Sequence, residues 1–354
     1  MAAEEVLWKR DEHTKAKHEL LLAFFNKWVS IHSSYFASQP GGGLVRIYDG
    51  FAGPGVYLDG ASGSPLILMR ALCTNTNLKE RWSAVRYDLH FVEKHTARAA
   101  MLQTKLHYEE HVPQPVDEPS ALFLFLDPFG YSHAPMELTQ DLVQQPKSDT
   151  LIFLPLSFVN RFKDRPGQET ALDRFFGTQD WRHVPDGPQR PATLLGLFEN
   201  QLRMAGLRWV GSFRLRPDPS NEYFIVGGSG HLKGWASIKE GFWAVDRVHG
   251  RQYQAPKPAG QGQQQFDPVE SELPKADTGP LLELLRQRFG PVPFTVEQAM
   301  DVTAESRFLE THLKRLTLAP AEKAGTLQVS RPAGTRQFKE GKSITMRFTE
   351  PSDR

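Results

Sequence analysis

A single cysteine, Cys73, stands in a chain of 354 residues. That scarcity excludes a disulfide framework, a cysteine-rich zinc site and an iron–sulfur cluster held by this chain alone, and it fits a reducing cytoplasm. No stretch reaches ~18 consecutive apolar residues, so no transmembrane helix is expected. The charged start MAAEEVLWKRDEH lacks the apolar centre of a signal peptide. Neither sign of charge dominates, with 42 Lys and Arg against 41 Asp and Glu. Any affinity for nucleic acid therefore has to come from a local patch. The 12 histidines contain no H-x-x-H or H-E-x-x-H pair, and no metal site is expected. The Gly-Lys-[Ser/Thr] ending of a nucleotide-triphosphate loop, the G-x-G-x-x-G spacing of dinucleotide binding and the G-x-S-x-G nucleophile elbow are also missing.

What is present reads as two domains joined by a polar stretch. TKAKHELLLAFFNKWV (14–29) has helical periodicity, with Leu21, Phe24, Phe25 and Trp28 on one face. Short apolar runs follow at 44–49, 88–94, 121–127 and 150–158, alternating with longer helical segments. Runs of that length suit strands buried on both faces, and the alternation predicts parallel βαβ units. Two later runs, 206–215 and 221–230, predict an antiparallel hairpin closing the sheet edge. Ser64-Pro65 predicts a helix start, with Ser64 as its cap.

Residues 251–278 turn rich in Gln, Pro and Gly and read as a linker or arm, so the domains are expected at 1–250 and 279–354. The second domain predicts three helices, with Thr295 capping the middle one, and then two strands (326–330 and 343–348) around a basic loop. That order describes a winged helix-turn-helix.

The sharpest motif is Asp49-Gly50-Phe51-Ala52-Gly53-Pro54-Gly55, directly after a predicted strand. Glycines there let backbone turn tightly and approach a ligand without a Cβ in the way. Glu93 ends the next predicted strand, where a carboxylate can accept both hydroxyls of a ribose. Asp127-Pro128-Phe129-Gly130-Tyr131 ends a later strand on the same carboxyl edge. A nucleoside with a carboxylated tail suits this pattern.

DGFAGPG is similar to the first motif of class I S-adenosylmethionine-dependent methyltransferases, especially the FAGxG form of amino-methylating nucleic-acid enzymes. DPFGY resembles their fourth motif, with Phe129 where a second Pro would stand. The whole chain resembles the three-Cys-motif partner proteins through HTKAKHELLLAFFNKW, IYDGFAGPGVYLDGASGSPLILMRAL, FVEK, FLDPFGY, LDRFFGTQDW and LLELLRQRFGPVPFTVEQAM. The resemblance implies a Rossmann-like methyltransferase sheet that binds S-adenosylmethionine through Asp49, Phe51, Ala52, Gly53, Pro54, Gly55 and Glu93. Lys17 and His18, on the helix before the motif, would help line the cofactor pocket. Asp127 and the Pro128 carbonyl would accept hydrogen bonds from a target NH₂, while the ring of Phe129 or Tyr131 stacks on a base. The resemblance further implies a radical-SAM-like partner carrying three cysteines. Phe158, which ends the fourth run, and Asn160 and Arg161 just after it are candidates to meet substrate.

The C-terminal region carries its own signal. From Thr311 to Phe348 eight basic residues face two acids, Glu322 and Glu340. Lys314, Arg315, Arg331, Arg336, Lys339 and Lys342 are the candidates for neutralising nucleic-acid phosphates. Two classes of function stay open at this point. One is a methyltransferase acting on a base in RNA or DNA. The other is a non-catalytic adaptor that binds nucleic acid and serves the three-cysteine partner.

Overall fold

The computed structural model describes residues 6–79, 84–104, 119–128, 130, 134–144, 147–156, 159, 166–218, 221–254, 275–335 and 337–349. The chain divides into two compact units, Met1–Val245 with Arg251–Gln261, and Asp246–Gly250 with Gly262–Arg354.

The first unit is built on a seven-stranded sheet. Strands β1 (Gly43–Asp49), β3 (Ser120–Leu126) and β4 (Ser148–Leu154) are buried along their whole length, as their unbroken apolar runs require. With β2 (Val85–Phe91) they form the parallel part. Strands β5 (Trp209–Asp218) and β6 (Asn221–Ser229) form the expected hairpin. It does not close the edge. Strand β6 inserts antiparallel between β4 and β5, and a short β7 (Gln252–Gln254) pairs parallel outside β5, giving the order β2-β1-β3-β4-β6-β5-β7. The polar stretch expected from 251 thus opens with a strand, and residues 255–274 lie outside the described ones.

Helices cover both faces. On one side lie α1 (Glu12–Ala37), α2 (Ser64–Thr74), α3 (Thr96–Gln103) and α7 (Leu232–Val245). They bury Leu21, Phe24, Trp28, Leu68, Leu102 and Ile238 with Val45, Ile47 and Phe123 of the sheet. On the other side α4 (Met136–Val143), α5 (Glu169–Phe176) and α6 (Arg190–Met204) pack Leu142, Phe175 and Phe198 against Leu124, Ile152 and Leu154. Alternate residues of each strand feed opposite cores, as a pleat demands.

Helix α1 begins earlier than its apolar periodicity alone indicates, because Asp11 caps it by accepting the Thr14 N–H at 3.0 Å. It also runs eight residues further, to Ala37, with His32, Ser33 and Phe36 still buried. The cap of α2 is Gly63 rather than Ser64, with Pro65 in the first turn where its missing N–H costs nothing.

The second unit holds α8 (Gly279–Phe289), α9 (Val296–Glu305) and a helical run spanning Glu310–His312, Leu313–Leu318 and Ala319–Lys323. A three-stranded antiparallel sheet follows the order β8-β10-β9, formed by Phe294–Thr295, Thr345–Phe348 and Leu327–Ser330. Thr295 and Gln298 make a reciprocal capping box. Phe294 sits between Phe289 and Phe348, at ring separations of 4.2 and 5.3 Å. The middle of the helical run is wound as a π-helix. Pro320 offers no N–H to the Leu316 carbonyl, and the Thr278 hydroxyl donates to that carbonyl instead, at 2.7 Å. Among the described residues no helix is long and apolar enough to cross a membrane.

Candidate functional site

Strand β1 lies between β2 and β3, so the chain reverses its direction of progress across the sheet at the β1/β3 boundary. In open α/β sheets ligands bind outside the carboxyl ends of the strands at such a switch point. Here a cavity of about 330 Å³ lies at that place. Its wall draws on the segment 8–14 and on Lys17, on the loop after β1 (Phe51, Ala52, Pro54, Gly55, Val56 and Tyr57), and on Asp127 and Pro128 after β3. Gly63 and Ser64 at the start of α2, Phe153 and Pro155 from β4 and its exit, and Tyr223 of β6 complete it.

The loop is held to the sheet by its backbone. Gly50 N–H donates to Phe125 O at 3.0 Å, Val92 N–H to Asp49 O at 2.9 Å and Ala52 N–H to Val92 O at 2.8 Å. Gly53 and Gly55 both sit in the left-handed region, at φ +64° and +79°. A Cβ on Gly53 would come within 2.9 Å of the Trp8 ring. Trp8 is itself covered by the Arg98 guanidinium at 4.2 Å, and its carbonyl accepts the Leu58 N–H at 3.0 Å. The N-terminal segment therefore closes over the glycine loop.

Asp49 lies under this loop, fully buried, with Oδ1 accepting the Phe51 N–H at 3.1 Å. Burial pushes its carboxyl up to about 7, against hydrogen bonds from Ser64 and Phe51, and the charge of Asp127 adds to the rise. Its Oδ2 has no hydrogen-bond partner among the described residues.

Lys17 and His18 are buried, whereas a polar pair on an amphipathic helix would ordinarily face water. Lys17 Nζ forms an ion pair with Asp127 Oδ2 and lies 4.9 Å from the centre of the Phe153 ring. His18 packs beside Tyr57 with ring centres 5.6 Å apart. Burial pulls the His18 imidazole down to about 3, with Lys17 and Arg10 acting in the same direction, so it is neutral. Burial raises the Tyr57 phenol, as do the nearby carboxylates of Asp127, Asp11 and Asp49.

The residues singled out in the sequence thus divide. Lys17, Phe51, Ala52, Pro54, Gly55, Asp127 and Pro128 line one cavity, with Asp49 beneath it. Glu93, Gly53 and His18, also expected at the cofactor pocket, are not part of its wall. Strand β2 ends at Phe91, three residues earlier than expected, and the Glu93 carboxylate accepts the His95 N–H at 2.6 Å just ahead of α3. Phe129, Tyr131, Phe158, Asn160 and Arg161 lie outside the described residues. Sequence reasoning passed over Trp8, Asp11, His13, Tyr57, Phe153 and Tyr223. The rings of His13, Phe153 and Tyr223 form a near-parallel cluster, with 5.1 Å between His13 and Tyr223 and 5.2 Å between Phe153 and Tyr223. Only assembly of α1, β4 and β6 brings these three together.

In the second unit two of the basic candidates have internal partners. Arg331 pairs through both terminal guanidinium nitrogens with Glu322 and covers the Phe338 ring at 4.9 Å. Lys314 donates to Glu340 at 2.6 Å. Arg315, Lys339 and Lys342 are exposed, and Arg336 lies outside the described residues. No group of three or more His, Cys, Asp or Glu with metal-binding placement occurs among the described residues.

No family model matches the chain, and no curated protein matches it. Among solved structures, two of the plantazolicin methyltransferase BpumL align with it. One is a complex with a monoazolic desmethylPZN analog and SAH, at 10% identity and a TM-score of 0.24. The other is a complex with SAH, at 10% identity and a TM-score of 0.23. Each alignment covers 61% of this chain and 87% of the other. At that level of likeness the functional reading rests on this chain's own cavity.

Proposed function

We propose that this chain is a class I S-adenosylmethionine-dependent methyltransferase that acts on a base amino group in RNA or DNA. One observation carries the reading. The cavity lies at the switch point of the sheet, between a left-handed glycine loop on β1 and an ion-paired Asp-Pro on β3. The residues present fit the cofactor. Phe51 to Gly55 offer backbone with little side chain in the way, and a buried, unpartnered carboxylate oxygen on Asp49 sits beside them, suited to a cationic ligand. Glu93 lies outside the wall of this cavity and accepts the His95 N–H, so no ribose contact is assigned to it.

When bound, S-adenosylmethionine supplies an electrophilic sulfonium methyl. The chain's own task is to hold an acceptor nitrogen in line with it. Lys17 fixes one oxygen of Asp127, and a carboxylate has capacity left on the other to accept from an NH₂. That hydrogen bond, with one to the Pro128 carbonyl, turns the nitrogen lone pair toward the methyl. Preorganisation of this kind works because the partners need not move as charge develops.

The second unit has the helix and strand order of a winged helix, and Arg315, Lys339 and Lys342 would meet phosphates. The test is transfer of a labelled methyl group from S-adenosylmethionine to total RNA and to genomic DNA by the full chain. Label in either pool that disappears with Asp127→Ala is the expected result. Cofactor binding without transfer to any acceptor would overturn catalysis in favour of the adaptor.

A further inference from the structure

His13 lines the cavity with a carboxylate set against one of its ring nitrogens. Its Nδ1 lies 2.9 Å from Asp11 Oδ1. A carboxylate only accepts, so a proton shared across this contact sits on Nδ1, and in the neutral ring the acceptor nitrogen is then Nε2. Asp11 is well placed to enforce this. Burial works against its charge, but hydrogen bonds from His13 and Thr14 more than offset that, and its carboxyl stays well below the usual range. The same oxygen caps α1 through the Thr14 N–H, which ties the carboxylate to the helix start. The His13 ring is then fixed by its stack on Tyr223, with planes 16° apart. Among the described residues Nε2 has no hydrogen-bond partner. His13 also lies one turn before Lys17 on α1, and so on the same face as the group that holds Asp127.

We propose that His13 is the general base of methyl transfer in this cavity, with Asp11 as its positioning residue. The assignment rests on the methyltransferase reading above. In the step, the acceptor lone pair bonds to the methyl carbon and the carbon–sulfur bond breaks with its electron pair going to sulfur. The methylated nitrogen, now cationic, then gives one of its two N–H protons to Nε2 of His13. The acceptor class is accordingly a flat ring carrying an N–H, laid along His13, Tyr223 and Phe153. The other titratable groups lining the cavity are Lys9, Asp11, Lys17, Tyr57, Asp127 and Tyr223. Lys17 and Asp127 are paired with each other, and burial raises Tyr57. Asp49 titrates nearby but is fully buried under the loop, with one oxygen accepting the Phe51 N–H.

Two measurements on the full chain test this. Imidazole ¹⁵N spectra, assigned with His13→Gln, should show His13 protonated at Nδ1 and bare at Nε2. Asp11→Asn, which keeps a good helix cap, should shift protons toward Nε2. In single-turnover transfer to total RNA, His13→Gln should be slower by about 10²-fold, while calorimetry finds its affinity for S-adenosylhomocysteine within twofold of wild type. A chain that binds the ligand but carries the His13 proton on Nε2, or whose His13→Gln variant transfers at the full rate, overturns the assignment alone. A wild-type chain that binds no S-adenosylhomocysteine overturns the methyltransferase reading and this assignment together.

Discussion

Lys17 and Asp127, 110 residues apart in sequence, form an ion pair that ties the first long helix to the exit of β3. The two partners are unequally buried, with side-chain exposures of 7% for Lys17 and 22% for Asp127. Removing either partner leaves the other without its counter-charge, and the cost follows the burial of what is left. Asp127→Asn should therefore destabilise more than Lys17→Met, which should cost about 1–3 kcal/mol. The double variant should resemble Lys17→Met more than the sum of the two. Urea titrations of the four proteins check this, and strict additivity would mean that the pair contributes nothing.

The glycine loop makes a steric prediction. Gly53→Ala adds a Cβ within 2.9 Å of Trp8 on top of a left-handed backbone, whereas Gly60→Ala meets only the backbone cost, because nothing lies within 4 Å of its Cβ. Affinity for S-adenosylhomocysteine should fall at least tenfold in Gly53→Ala and stay near wild type in Gly60→Ala, a tenfold loss being about 1.4 kcal/mol. Adding Trp8→Ala to Gly53→Ala should recover part of the loss. Equal affinities in the two glycine variants would contradict the loop's role.

Much of this site was legible in the sequence, for identifiable reasons. Asp49, Gly53, Gly55 and Asp127 stand at the ends of continuous apolar runs, and such runs locate buried parallel strands well. The burial of Lys17 was not read from the residues, whose polar character suggested an exposed face, although it lies four, seven and eleven residues before Leu21, Phe24 and Trp28 on the same stripe of α1. The end of β2 was harder to read. Its mixed burial gives no continuous apolar run, and the Phe91-Val92 pair drew the expected strand beyond its true end. His13, Phe153 and Tyr223 carry no local signal at all, because their meeting depends on β6 inserting beside β4. The placement of β7 was hidden for a similar reason, as three residues are too few to show a period.

Asp49 gives a pH dependence with a definite sign. Its carboxyl rises from an ordinary 3.8 to about 7 in the folded chain, so between those values the folded state binds the extra proton. Stability from this group is therefore greatest below about pH 4 and declines as pH rises through about 7, by roughly 4 kcal/mol at most. Asp49→Asn should gain stability relative to wild type as pH goes from 4 to 8. Denaturant titrations across that range test it, and a stability difference that does not change with pH would contradict the burial argument.

The basic residues of the second unit should separate into two kinds. Lys339→Ala with Lys342→Ala should weaken binding of a labelled oligonucleotide and flatten its dependence on log salt by about 0.7–0.9 per lost phosphate contact. Arg331→Met should instead lower thermal stability, because it strands Glu322 and uncovers Phe338. Fluorescence anisotropy at several salt concentrations, alongside thermal melts, distinguishes them. An oligonucleotide affinity that ignores both lysines would remove this face from nucleic-acid binding.

The most direct measurement of the central claim is isothermal calorimetry of S-adenosylhomocysteine into the full-length wild-type chain. The account predicts one site per chain, competed by S-adenosylmethionine. With S-adenosylmethionine, whose sulfonium is cationic, it also predicts proton release near neutral pH as that charge favours the ionised form of Asp49, seen as a heat that depends on the buffer's ionisation enthalpy. No binding heat and no thermal shift at millimolar ligand would contradict the assignment of this cavity to S-adenosylmethionine.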